Sequence, residues 1–276
     1  YCHAEGKSCV CWKMQKEMEE EDVIFDTHAH YDDEAYEEDR EDILKLIRQD
    51  GVGLVTDVGA TIASTKKAVA LSEQYDFIYA AVGMHPEGVE ELTDQDMDWL
   101  CELAKREKVV AIGEIGLDYY YEDPKRDIQK IWFRKQLEVA RKTGLPVVIH
   151  SRDAAQDTLD IIKEEHGEQI GGVIHCFSYG KEMAQVYLDM GFYLGIGGVV
   201  TFKNGKKLKE VVKYTPIERI VLETDAPYLT PEPNRGKRNA SHYLKYVAQE
   251  IAQLKGMTAK EVIAVTTKNA KEMYRI

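Results

Sequence analysis

The chain has 276 residues, 44% of them hydrophobic and 31% charged, with a formal net charge of −13 and a pI near 5.2. An acidic chain lacks the broad basic footprint of a protein that wraps duplex DNA through neutralised phosphates, and its longest apolar runs are strand-sized, so no membrane span is expected. Cys2, Cys9 and Cys11 crowd the start while Cys101 and Cys176 stand alone, which is no disulfide framework and points to a reducing cytoplasm.

Residues 1–22 differ in character from the rest of the chain and read as a flexible lead-in to one domain spanning 23–276. They hold no apolar stretch of the secretory kind, and Cys2, His3, Cys9 and Cys11 match no familiar zinc-finger spacing. The chain opens on Tyr1, and Met14 and Met18 are the candidate natural starts. From Val23 onward apolar runs and amphipathic stretches alternate. A strand over 23–27 precedes a helix over 40–50, whose Ile43, Leu46 and Ile47 share a face and which Gly51 ends. A strand over 52–58 precedes a helix over 62–74 with Thr61 as its cap. A strand over 77–82 precedes a helix over 94–105 opened by the capping box Thr93-x-x-Asp96. A strand over 109–112 leads to a long helix opened by Asp123 and Pro124 and stopped by Gly144. Then come a strand over 146–149, a helix over 154–165, a strand over 172–174, a helix over 181–190, a strand over 192–196, a Lys-rich helix over 204–214 and a strand over 219–222. A helix over 242–254 and another opened by Thr258-x-x-Glu261 close the chain. Eight strands alternating with helices imply a parallel sheet. Their count and the chain length favour an α/β fold, a (β/α)8 TIM barrel with an extra C-terminal helix. An open doubly wound sheet is the other arrangement such a pattern permits.

In such a barrel the active site lies at the C-terminal strand ends, so the residues that finish the apolar runs are the informative ones. The first run reads V-I-F-D-T-H-A-H, and His28 and His30, at i and i+2 on extended backbone, point to one face. V-V-A-I-G-E-I-G finishes in Glu114, L-P-V-V-I-H in His150, G-G-V-I-H in His175 and R-I-V-L-E-T-D in Asp225. Imidazole and carboxylate are the ligands that hydrolytic metal sites use. Six are too many for one open catalytic ion. Two divalent ions about 3.5–4 Å apart would use them all, with Glu114 and Asp225 the candidates to bridge. In that arrangement a metal-activated water is the nucleophile and Asp225 accepts or shuttles its proton. Cys176, next to His175, points to the opposite face if the strand continues and reads as packing.

These residues lie in stretches that resemble the TatD-like metal-dependent deoxyribonucleases of the amidohydrolase superfamily. The stretches are F-D-T-H-A-H, G-M-H-P, G-E-I-G-L-D-Y-Y, V-I-H-S-R-D-A, H-C-F-S and L-E-T-D-A-P-Y-L, with R-G-K-R-N and T-T-K-N-A later. The likeness runs from Ile24 to the C-terminus. It implies a barrel hydrolase that cleaves phosphodiester bonds, typically from DNA ends, with divalent metals. It also implies His28, His30 and Asp225 on one ion, His150 and His175 on the other, and Glu114 shared. Tyr179 and Gly180 come after H-C-F-S where a glycine often comes sooner, a departure that leaves the ligands in place.

Around this centre, Arg152, two residues beyond His150, is a candidate phosphate ligand or a salt-bridge partner at the next helix. His85 of G-M-H-P is a candidate substrate contact or a turn cap before Pro86. Arg235 and Lys237, with Arg238, lie in a late loop of the kind that holds phosphate in barrels, or simply meet solvent. Tyr119, Tyr120 and Tyr121 offer a stacking surface for a base, or pack on the rim. The expected function is a divalent-metal-dependent phosphodiesterase using two Mg, Mn or Zn ions, a 3′-to-5′ deoxyribonuclease acting on single strands or ends. The alternative is an amidohydrolase or phosphoesterase acting on a small metabolite. The cluster of Arg152, Arg235 and Lys237 favours the phosphodiesterase, and the presence of all six ligands speaks against a non-catalytic barrel. DNA or a small phosphoester is the expected partner, with no membrane and no obligate protein partner.

Overall fold

The computed structural model describes residues 23–276, so the lead-in and its cysteine-rich segment lie outside the described residues. Eight parallel strands pair in chain order: β1 Ile24–Ala29, β2 Val52–Val58, β3 Ile78–Val82, β4 Val109–Asp118, β5 Val147–Arg152, β6 Gly172–Ile174, β7 Tyr193–Ile196 and β8 Ile220–Leu222. A bridge between Ala29 and Ala226 brings the end of the sheet back to its start, and the Thr27 hydroxyl donates to the Leu222 carbonyl at 2.9 Å across the same seam. The expected barrel is therefore the fold. The described residues also form nine α-helices: α1 Arg40–Gln49, α2 Ile62–Gln74, α3 Asp94–Leu103, α4 Arg126–Thr143, α5 Ala155–Glu164, α6 Lys181–Asp189, α7 Lys206–Tyr214, α8 Leu244–Lys255 and α9 Ala259–Tyr274. Among the described residues no helix is long and apolar enough to cross a membrane.

The parity of the strands delivers the site. Val148 and Val173 belong to a small apolar cluster with Phe25, Val58, Ala81 and Val221, packed against Ala270, Met273 and Tyr274 of α9. Two residues on from Val148 and Val173 come His150 and His175, which the period of two carries to the same side. The Tyr274 hydroxyl donates to the Thr27 carbonyl at 2.7 Å, so the extra C-terminal helix is tied to the strand that carries His28.

Several boundaries differ from those the sequence suggests, and three of them bear on the site. β4 has ten residues instead of four, so Glu114 sits inside the strand, beside an irregularity in its pairing with β5 between Ile112 and Ile115. Gly116 permits the close approach of the two strands beyond that irregularity. Its φ is +147°, and a Cβ there would stand 1.9 Å from the His150 carbonyl oxygen. β5 likewise runs past His150 to Arg152. The long helix opens at Arg126, capped by Lys125, instead of at Asp123 and Pro124. The segment before it is held by Gln129, whose amide donates to the carbonyls of Asp118 (2.8 Å) and Pro124 (2.9 Å).

Candidate metal centre

All six strand-end residues meet at the mouth of the barrel. His28 Nε2 and His30 Nε2 are 3.1 Å apart. Asp225 Oδ1 lies 3.4 Å from His30 Nε2 and 3.8 Å from His28 Nε2. Glu114 Oε2 lies 3.4 Å from His28 Nε2 and 4.0 Å from His30 Nε2. Ligands about 2.0–2.1 Å from one tetrahedral ion stand about 3.3 Å from each other, so His28, His30 and Asp225, whose ligand atoms lie within 4.8 Å of one another, are spaced to share a cation, and so are His28, Glu114 and His175. Glu114 turns its other oxygen to a second group. Oε1 lies 2.7 Å from His150 Nδ1, 3.6 Å from His175 Nε2 and 3.9 Å from His85 Nε2. His175 stands between the groups. Its ring stacks on His28 with centroids 3.6 Å apart, and its Nε2 is 3.9 Å from Asp225 Oδ1.

The far nitrogen of three imidazoles is held from behind, which fixes the ring and leaves the near nitrogen for a ligand. His30 Nδ1 is 2.7 Å from the Val58 carbonyl, to which it donates. His150 Nε2 is 3.0 Å from Asp118 Oδ2, and His175 Nδ1 is 3.1 Å from Glu223 Oε2. Sequence reasoning missed Asp118 and Glu223. Both carried a signal it could have used, since Glu223 precedes Asp225 by two and Asp118 lies four beyond Glu114 along one strand. The expectation for Cys176 is corrected. β6 stops at Ile174, and Cys176 adopts a φ of +45°, so the thiol turns back to within 4.8 Å of the ligand atoms of His175 and Glu223. Its backbone N–H donates to Glu223 Oε1 at 2.6 Å, and burial, then Glu223, pushes the thiol pKa well up.

Beneath the centre, buried Asp26 ties β1 to the segment after β8. It accepts from the Ser241 and Thr224 hydroxyls, both at 2.6 Å, and from the Thr224 backbone N–H at 3.0 Å. The Asp225 N–H in turn donates to the His28 carbonyl at 2.9 Å. Asn239 donates to the Thr224 and Tyr228 carbonyls on either side of Asp225, at 3.1 and 2.7 Å.

Carboxylates and imidazoles stabilise each other's charge. Burial opposes ionised Glu114, yet His175, His28, His85 and His150 hold its pKa well below the ordinary value. Burial likewise opposes charge on Asp225, but His30 and then His175 hold it down. His30 is raised to about 10 against its burial by Asp225 and Glu114. His150 is raised to about 9 against burial by Glu114 and Asp118, and His175 to about 9 by Glu223 and Glu114. Burial and the neighbouring His175 push His28 down. A buried pocket in which Glu114 and Asp225 stay ionised and draw positive charge onto their neighbours suits divalent cations, and its oxygen and imidazole donors suit hydrolytic ones.

The predicted substrate contacts divide. His85 accepts from the Glu87 N–H at 3.2 Å through Nδ1, capping the turn Pro86–Gly88, while Nε2 faces Glu114. Arg152 is exposed and forms no ion pair among the described residues, so the helix-entrance salt bridge is absent. Its guanidinium lies 3.7 Å from the centre of the Tyr120 ring instead. Arg235 stacks on Phe202 at 4.2 Å, and Lys237 contacts Asn234 at 3.1 Å; neither is bonded to the histidine cluster. Arg238 pairs with Asp39 at 2.5 and 2.9 Å and stands over Tyr36.

An eight-stranded barrel with this donor set at its mouth defines a metal-dependent hydrolase. The family model described as TatD related DNase matches residues 25–275, and the chain belongs to that TatD family. It is 48% identical over 254 residues to the uncharacterized metal-dependent hydrolase YabD of Bacillus subtilis, covering 92% of this chain and 100% of that one. It is 37% identical over 256 residues to the uncharacterized metal-dependent hydrolase YcfH of Escherichia coli K12, covering 92% and 96%. The crystal structure of YjjV, a TatD homologue from E. coli K12, superposes with a TM-score of 0.87 at 29% identity, covering 93% of this chain and 99% of that one.

Proposed function

We propose that the protein is a phosphodiesterase acting on DNA, a 3′-to-5′ deoxyribonuclease for single strands or ends, with two divalent ions sharing Glu114. One observation carries this reading. Glu114 presents Oε2 to His28 and His30 and Oε1 to His150 and His175, as a carboxylate between two cations would. Divalent ions held by these residues would supply an activated water and positive charge for a phosphoryl oxygen. Asp225, its side chain 20% exposed beside buried Glu114, is the carboxylate such a water would reach, and the oxygen not turned to His28 and His30 is the one available to take the proton. The water oxygen bonds to phosphorus, the bond to the leaving sugar oxygen breaks, and the proton passes by way of Asp225 to that oxygen. The guanidinium of Arg152, in no ion pair among the described residues, favours a phosphoryl over a carbonyl substrate.

The test is hydrolysis of 3′-labelled and 5′-labelled single-stranded DNA with added Mg, Mn or Zn, with Asp225→Asn as control. Stepwise shortening that the control lacks gives the activity and its direction. No cleavage by protein that binds two ions refutes the assignment.

A small phosphoester or amide is the second reading, and one observation favours it. The cleft beside Asp225 is lined by Asp33, Glu34, Glu37, Glu38 and the Asp39–Arg238 pair, a net negative surface that repels a long polyanion on that side.

A further inference from the structure

The two sides of the mouth have opposite character. Next to Asp225 is the acidic cleft, joined to the centre by Tyr228, whose N–H donates to the Asp225 carbonyl and whose hydroxyl donates to Asp33, at 2.8 and 3.2 Å. On the opposite side the ends of β4 and β5 carry Tyr120, Tyr121 and Arg152. Tyr120 and Tyr121 are 57% and 52% exposed, and their rings meet edge to face with centroids 4.8 Å apart. Neither ring is used by the core.

This side is registered to the metal centre through one residue. Asp118 holds His150 with Oδ2 at 3.0 Å and accepts the Tyr120 N–H with Oδ1 at 2.9 Å. Asp118 is also the strand partner of Arg152. The Arg152 guanidinium stacks on Tyr120 at 3.7 Å. Stacking occupies only its flat face, and among the described residues nothing accepts from the N–H donors along its edge, which leaves them to an oxyanion. Tyr119, whose hydroxyl donates to Asp157 at 2.6 Å, anchors the segment from which the two exposed rings project.

We infer that Arg152, Tyr120 and Tyr121 form a nucleotide platform: the guanidinium edge takes the phosphate next to the scissile bond, and the tyrosine faces stack on the base attached to it. The platform rests on the phosphodiesterase reading above. It deepens that reading to a single strand with unpaired bases entering from the β4–β5 side, because a base held in a duplex offers no free face. The acidic cleft keeps the polyanion off the other side.

The test compares wild-type protein with Tyr121→Ala, the double variant Tyr120→Ala/Tyr121→Ala, and Tyr121→Phe. Two probes are used: a short fluorescein-labelled oligothymidylate, and the same strand with abasic terminal nucleotides. Binding is read by fluorescence anisotropy and hydrolysis by gel. Loss of base stacking weakens binding and raises KM about tenfold for the normal strand. Tyr121→Phe retains wild-type behaviour, and the wild-type advantage vanishes on the abasic strand. Equal losses on both strands, or none on either, overturn the platform. Binding without hydrolysis by wild-type protein leaves the platform standing and refutes the nuclease reading. Hydrolysis without any base dependence does the reverse, and failure to bind the strand at all overturns both.

Discussion

Glu223 Oε2 sits 3.1 Å behind His175 Nδ1, in space that Gly195 leaves open: a Cβ at residue 195 would stand 2.2 Å from that same oxygen. The carboxylate fixes the tautomer with the proton on Nδ1 and turns Nε2 toward the centre. Glu223→Gln and Gly195→Ala are expected to weaken divalent-metal affinity about 10- to 100-fold. Competition with a chromogenic chelator measures this, and unchanged affinity in both variants would show that His175 is held without Glu223.

Asp225→Asn keeps the shape of the side chain and removes its charge. The backbone bonds around it, from Asp225 N–H to His28 and from Asn239 to its neighbours, do not involve the carboxylate. The fold is expected to survive, with a thermal midpoint near that of wild type, while hydrolysis falls at least about a hundredfold. Calorimetry and the labelled-strand assay separate the two effects, and near-normal turnover would remove Asp225 from proton transfer.

Arg152 is exposed, stacked on Tyr120 and without an ion pair among the described residues, so its loss costs little stability. Arg152→Ala is expected to raise KM for a DNA strand about tenfold or more, the worth of a charge-assisted hydrogen bond. A smaller effect of the same substitution on kcat separates binding from chemistry. An unchanged KM would leave the residue without a substrate contact.

Metal binding should release protons. Without an ion, Asp225 and Glu114 raise His30 to about 10, Glu114 and Asp118 raise His150 to about 9, and Glu223 and Glu114 raise His175 to about 9, which favours the charged imidazoles at pH 7. A cation accepts only the neutral imidazole. Affinity is therefore expected to rise with pH through neutrality and to level off above about pH 9–10, where the imidazoles are already neutral. Titration calorimetry in two buffers of different ionisation enthalpy measures the release, and identical heats at pH 7 would refute it. Saturating metal, bound only by the folded protein, should raise the thermal midpoint.

Much of this molecule is written locally. The period of two in V-V-I-H and G-G-V-I-H determines strand identity and the face on which His150 and His175 emerge. His28 and His30 share a face for the same reason, and the capping boxes at Thr61, Thr93 and Thr258 mark helix starts. The amino-acid order therefore carried the alternation of strands and helices and the six residues that finish the strands, because each depends on side chains a few positions apart; closure into a barrel rests on the Ala29–Ala226 bridge and the Thr27–Leu222 bond, between segments far apart in the chain. Only the tertiary structure decided what those residues do to one another. The two-sided position of Glu114, the support of His150 and His175 by Asp118 and Glu223, and the pairing of Arg238 with Asp39 all join segments far apart in the chain. The length of β4 and the turn at Cys176 were settled the same way, by close packing against β5 and by the Glu223 carboxylate. Pairing across a closed barrel is set by how strands register and pack in three dimensions, and no local period records it.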